Sequence, residues 1–149
     1  MKKTLVFSIF LLFFLIACGH NDHQSEMNFL DPIEVELIPL TELEVNKEIV
    51  TQVIVTQNEK TVSDAEEVVF EIWQHGHPET YRSLDGVAKG DGIYEVSWSA
   101  TEEGVYYVFY HVTANGMHRM EKHQLVIGDD VDVEKILASP DERPKTHMH

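Results

Sequence analysis

Two methionines and two histidines crowd into one short stretch, Asn115-Gly116-Met117-His118-Arg119-Met120-Glu121-Lys122-His123. Thioether sulfur beside imidazole nitrogen is a donor set for a soft metal such as Cu(I), whereas Zn, Ca and Mg sites rarely use methionine. Asn-Gly between two apolar runs is a strong hairpin signal, a two-residue type I′ turn. That register sets Ala114 opposite Met117, Thr113 opposite His118 and His111 opposite Met120. Directly opposed residues have Cβ atoms about 4.5–5.5 Å apart. His111, His118 and Met120 are thus expected on one face with Met117 at the turn beside them, a four-donor copper site. Singly, each has a plainer reading, because methionine fills gaps in cores and a strand histidine packs or is solvated. Their coincidence at a turn, where an apolar methionine gains little burial, points to metal.

The other histidines carry less. Trp73-Gln74-His75-Gly76-His77-Pro78 holds a His-Gly-His triplet. His75 and His77 form either a second metal site or a surface feature, the latter being simpler. His123 falls opposite Val108, away from the turn. His20 and His23 lie in a polar N-terminal stretch, and His147-Met148-His149 repeats the His/Met chemistry late in the chain. No nucleophile turn, phosphate-binding glycine loop or framed carboxylate pair is present, so the sequence reads as non-enzymatic.

The elements that must position these donors are strands. From Pro32 onward, short β-branched and aromatic runs alternate with turn residues, predicting strands over 33–38, 48–56, 67–74, 80–84, 92–99, 104–113 and 117–127. About seven such strands predict an all-β, immunoglobulin-like antiparallel sandwich, with a small barrel as the alternative. Glu102-Glu103-Gly104-Val105-Tyr106 matches a tyrosine corner, in which a tyrosine at the start of the penultimate strand ties its hydroxyl to the preceding loop. This places Tyr106, Val108, Tyr110 and Val112 inward, and Tyr107, Phe109, His111 and Thr113 outward. Trp73 and Phe109 read as exposed aromatics. Residues 129–149 form an acidic tail with an amphipathic piece at 131–138, a brief helix or frayed end outside the core.

The N-terminus suggests where the domain sits. Met1-Lys2-Lys3 precedes an apolar segment that ends in Leu15-Ile16-Ala17-Cys18. This is a signal-peptide pattern whose apolar part is short for a membrane span. It also matches the bacterial lipobox, in which the cysteine becomes the lipidated first residue. The expected organisation is a signal peptide over 1–17, a tether over 18–31, a β-sandwich over 32–128 and the tail. An uncleaved anchor is the alternative. Either places the domain on the extracytoplasmic face of the cell membrane. Cys18 is the only cysteine, so no disulfide and no thiolate ligand are expected. The net charge of −15, which becomes −17 once Lys2 and Lys3 are removed, repels nucleic acid and anionic lipid.

Several of these pieces together resemble one family. Val62-Ser63-Asp64-Ala65 leads into Val69-Phe70-Glu71-Ile72-Trp73, followed by Gly90-Asp91-Gly92-Ile93-Tyr94, Glu103-Gly104-Val105-Tyr106-Tyr107-Val108 and Gly116-Met117-His118-Arg119-Met120. With the lipobox, this series is similar to the YtkA-like domain of Bacillus-type lipoproteins. The resemblance spans roughly 32–128, and Gly-Met-His-x-Met is its most specific piece. It implies an immunoglobulin-like sandwich on the outer face of a Gram-positive membrane, related to FixH-like proteins linked with cytochrome oxidase assembly. The expected function is that of a lipid-anchored copper carrier or buffer, partnered by an oxidase or metallochaperone. The alternative is an interaction module that binds no metal.

Overall fold

The computed structural model describes residues 31–141. Two antiparallel sheets face each other. The first is built from β1 (Glu34–Leu37), β2 (Ile49–Gln57), β6 (Val87–Gly90) and β7 (Ile93–Trp98) in the order β1-β2-β7-β6, with the two-residue β3 (Lys60–Thr61) paired to β2. The second runs β5-β4-β8-β9, from β5 (His77–Asp85), β4 (Glu67–Gln74), β8 (Gly104–Ala114) and β9 (Met117–Ile127). The sandwich expected from the sequence is therefore present. Its two additional strands, β3 and β6, are short and carry no apolar alternation that would have marked them.

Period-two patterning produces the layers. In β2, Ile49, Thr51, Val53, Val55 and Gln57 are buried and the residues between them are not. In the second sheet, Phe70 and Ile72 of β4 join Tyr106, Val108, Tyr110, Val112 and Ala114 of β8 in the core between the sheets. The tyrosine corner forms as expected: Tyr106 is buried, and its hydroxyl donates to the Glu102 carbonyl at 2.8 Å. The Asn115-Gly116 turn has φ of 52° and 71°, left-handed at both central residues as a type I′ turn requires.

The C-terminal segment does more than the sequence suggested. A five-residue helix α1 (Val133–Leu137) is capped by Asp132, whose carboxylate accepts from the Lys135 N–H at 3.1 Å. So short a helix does not stand alone. Val131, Val133 and Ile136 hold it by packing on Trp73, Val105 and Tyr107, a second cluster on the outer face of the β4/β8 sheet. The segment is thus a strap. Beneath it, Trp73 is 1% exposed, so the expectation of an exposed tryptophan fails because the strap covers it.

Candidate functional site

The outer face of the second sheet is laid out in rows by strand register. Glu67, Thr113 and His118 form one row across β4, β8 and β9, and Val69, His111 and Met120 form the next. Then come Glu71, Phe109 and Lys122, and finally Trp73, Tyr107 and Gln124. Trp73 and Tyr107 of the last row lie under the strap while Gln124 at its end is exposed, and the first two rows lie nearest the hairpin turn. The register inferred from Asn115-Gly116 holds along the whole of β9, so a two-residue turn does aim His111, His118 and Met120 to one side.

The geometry there is specific. The His111 and His118 rings have centroids 5.8 Å apart. His118 Nδ1 lies 3.0 Å from the Thr113 hydroxyl, which fixes the ring and leaves Nε2 as the nitrogen for a ligand. His111 Nε2 faces a Glu71 carboxylate oxygen at 3.5 Å, and its ring packs edge-on against Phe109 with centroids 4.4 Å apart. Met120 is 51% exposed, although a thioether gains by burial. Among the described residues, no three His, Cys, Asp or Glu side chains are placed to share one ion. The imidazole pair would need a third donor of another kind, and Met120, directly opposite His111, has the required chemistry.

Met117 departs from the expected set. It opposes Ala114, whose side chain is in the core, and it packs against the main apolar cluster. Alternation along a strand puts Met117 and Met120 on opposite faces, so their closeness in sequence does not bring them together.

His75 and His77 are not brought together as a site either. His75 is buried rather than on the surface. Its Nε2 lies 3.0 Å from the Ser139 carbonyl, an acceptor only, so Nε2 carries the hydrogen and Nδ1 accepts from the Tyr107 hydroxyl at 2.9 Å. Both ring nitrogens are occupied, Nδ1 by Tyr107 of β8 and Nε2 by the strap. His77 is exposed and bonds Glu79 at 3.0 Å. His123, opposite Val108 as expected, stacks on Tyr110 with centroids 5.5 Å apart and has the Glu121 carboxylate 3.8 Å from its Nε2. Cys18, His20, His23, His147 and His149 lie outside the described residues.

The strap has its own polar clasp. Asp141 accepts from Trp73 Nε1 at 2.9 Å and from Lys122 Nζ at 3.3 Å, and the Lys122 ammonium sits 4.5 Å from the Tyr107 ring centre. Burial, aided by the Asp141 charge, pushes the Tyr107 hydroxyl above the usual tyrosine range. Glu71 and this clasp escaped the sequence reading. The visible signals were a lone carboxylate within Val68-Val69-Phe70-Glu71-Ile72-Trp73, and apolar residues at 131, 133 and 136 matching the outward Trp73 and Tyr107.

Fold and face define an antiparallel β-sandwich with an exposed His/Met patch beside its last hairpin. The YtkA-like family model matches residues 27–111, more than half of the chain, and the chain belongs to that family. The match ends at His111, so Met117, His118 and Met120 lie beyond it. No curated protein matches. Among solved structures, an engineered protein is similar at 20% identity with a TM-score of 0.51, over 64% of this chain and 20% of that one, which is a likeness of fold alone. An endo-beta-1,4-mannanase from Thermotoga petrophila is similar at 13% identity with a TM-score of 0.47, over 67% of this chain and 20% of that one. The chain thus spans about a fifth of the length of each of these two structures.

Proposed function

We propose that this protein is a lipid-anchored, extracytoplasmic copper-binding module, a carrier or buffer, that holds Cu(I) on the outer face of its last hairpin through His111, His118 and Met120. The observation that carries the reading is the placement of Met120: a half-exposed thioether opposite one imidazole and next to another, on a rigid two-strand frame. Two imidazoles and a thioether suit Cu(I), and the absence of a thiolate suits an oxidising compartment. Glu71 would act behind His111, orienting the ring through its Nε2 side. Met117 belongs to the core in this reading. The lipobox Cys18 supplies the anchor, and an oxidase or metallochaperone would be the client.

Competition against a chromogenic Cu(I) chelator tests this. His118→Ala and Met120→Ala should each weaken Cu(I) binding at least about tenfold, while Met117→Leu, which refills the core position, should leave it unchanged. Equal affinity in wild type and Met120→Ala would overturn the assignment.

A further inference from the structure

The long strand β9 ends the second sheet, and no other strand pairs with its outer edge among the described residues. In a two-residue hairpin the pair that closes the turn, Ala114 with Met117, exchanges hydrogen bonds, and such pairs then alternate along the ladder. Arg119 and Glu121 therefore bond back to β8, while His118, Met120 and Lys122 direct their backbone N–H and C=O groups to the open edge. Open edges invite a further strand.

We propose that this edge pairs antiparallel with the same edge of a second copy of the chain, about a two-fold axis through Met120, creating a Cu(I) site shared by the two copies. This rests on the copper reading above. Four nearby registers can be compared by what each sets face to face. Centring on Arg119, Glu121 or Lys122 opposes each of those charges to itself. Centring on Met120 opposes Arg119 to Glu121 twice and His118 to Lys122 twice. Opposite charges in cross-strand positions stabilise a pair, and like charges in those positions penalise it.

Registers centred on His118, Met120 or Lys122 all set outward backbone groups against outward backbone groups, and of these only the Met120-centred one also pairs Arg119 with Glu121. Met120 meets Met120 as a hydrogen-bonded pair, with Cα atoms about 5.5 Å apart. The two thioethers then lie side by side on the outer face, each flanked by its own His111 and His118. One Cu(I) ion at the axis would take a sulfur from each copy and imidazole nitrogens from either.

Arg119 and Glu121 are both exposed, and they guard the edge against indiscriminate strands while fitting this one. Glu121 also accepts from the Tyr110 hydroxyl at 3.2 Å, which holds it near the edge. The net charge of −15 opposes self-association, so the edge alone gives a weak dimer and the shared ion strengthens it by mass action.

The test is sedimentation equilibrium of the full chain in density-matched detergent during a Cu(I) titration, with bound metal measured in the same samples. Dimer formation should be complete at one Cu(I) per two chains. Arg119→Glu should weaken the dimer at least about tenfold by setting Glu against Glu121. The double exchange R119E/E121R should restore it. Cu(I) bound at all ratios to a chain that stays monomeric would overturn the shared site and leave the single-chain copper reading intact. A dimer indifferent to Arg119→Glu would overturn this register. Absence of Cu(I) binding would overturn both proposals.

Discussion

Replacing His75 by alanine separates a strap-holding histidine from a metal ligand. The side chain is 5% exposed and bridges Tyr107 on β8 to Ser139 beyond α1, through contacts of 2.9 and 3.0 Å. Each such hydrogen bond contributes about 1 kcal/mol net, and a buried hydroxyl left unpaired costs about another 1 kcal/mol or more. His75→Ala should therefore cost about 3 kcal/mol, on the order of 10 °C or more in melting temperature for a domain of this size. The loss is capped at the docking energy of the strap if the strap releases as a unit while the sandwich stays folded. Two probes separate these cases. Trp73, sealed beneath the strap, should shift its fluorescence to the red, and hydrogen exchange should accelerate in α1 before the strands respond. His75→Gln offers a partial rescue, because its amide N–H can reach the Ser139 carbonyl, and should lose about half as much. Cu(I) affinity should not change in either variant. Unchanged melting together with weakened metal binding would refute the reasoning and return His75 to the list of ligands.

Two further outcomes follow from the tyrosines. Tyr106→Phe deletes the hydroxyl that ties β8 to the Glu102 carbonyl, and urea unfolding should show a loss of about 1–1.5 kcal/mol with an unchanged slope. Alkaline pH should act through Tyr110: burial first, then the Glu121 carboxylate, push its hydroxyl up from 10.0 to about 12. A raised pKa means that the unfolded chain loses its proton first. The stability contribution is thus fully present below about pH 10 and is lost as pH rises toward 12. Melting temperature followed from pH 9 to 12 should fall over that window, with a shallower fall in Tyr110→Phe.

Much of this arrangement is legible in local chemistry. Asn115-Gly116 fixed a two-residue turn and so the whole β8/β9 register, because left-handed φ at two adjacent positions is cheap only for such residues. The Gly104-Val105-Tyr106 run set which residues of β8 face inward, since one tied tyrosine fixes the parity of a strand. With parity and register known, His111, His118 and Met120 had to share a face. The same two facts send Met117 inward, and grouping it with its neighbours by closeness in sequence overlooked the alternation of the strand.

What the amino-acid order determined by itself is the set of relations between residues one strand or one turn apart: alternation, register, and the side of a sheet on which a donor stands. Only the tertiary structure decided what covers that side. Whether Trp73 meets water, whether His75 has a nitrogen to offer and whether Glu71 stands behind His111 depend on strands and a strap that meet in space. His75 and Ser139 are 64 positions apart, and Trp73 and Asp141 are 68 apart. Contacts of that kind are set by packing, which no short window of sequence encodes.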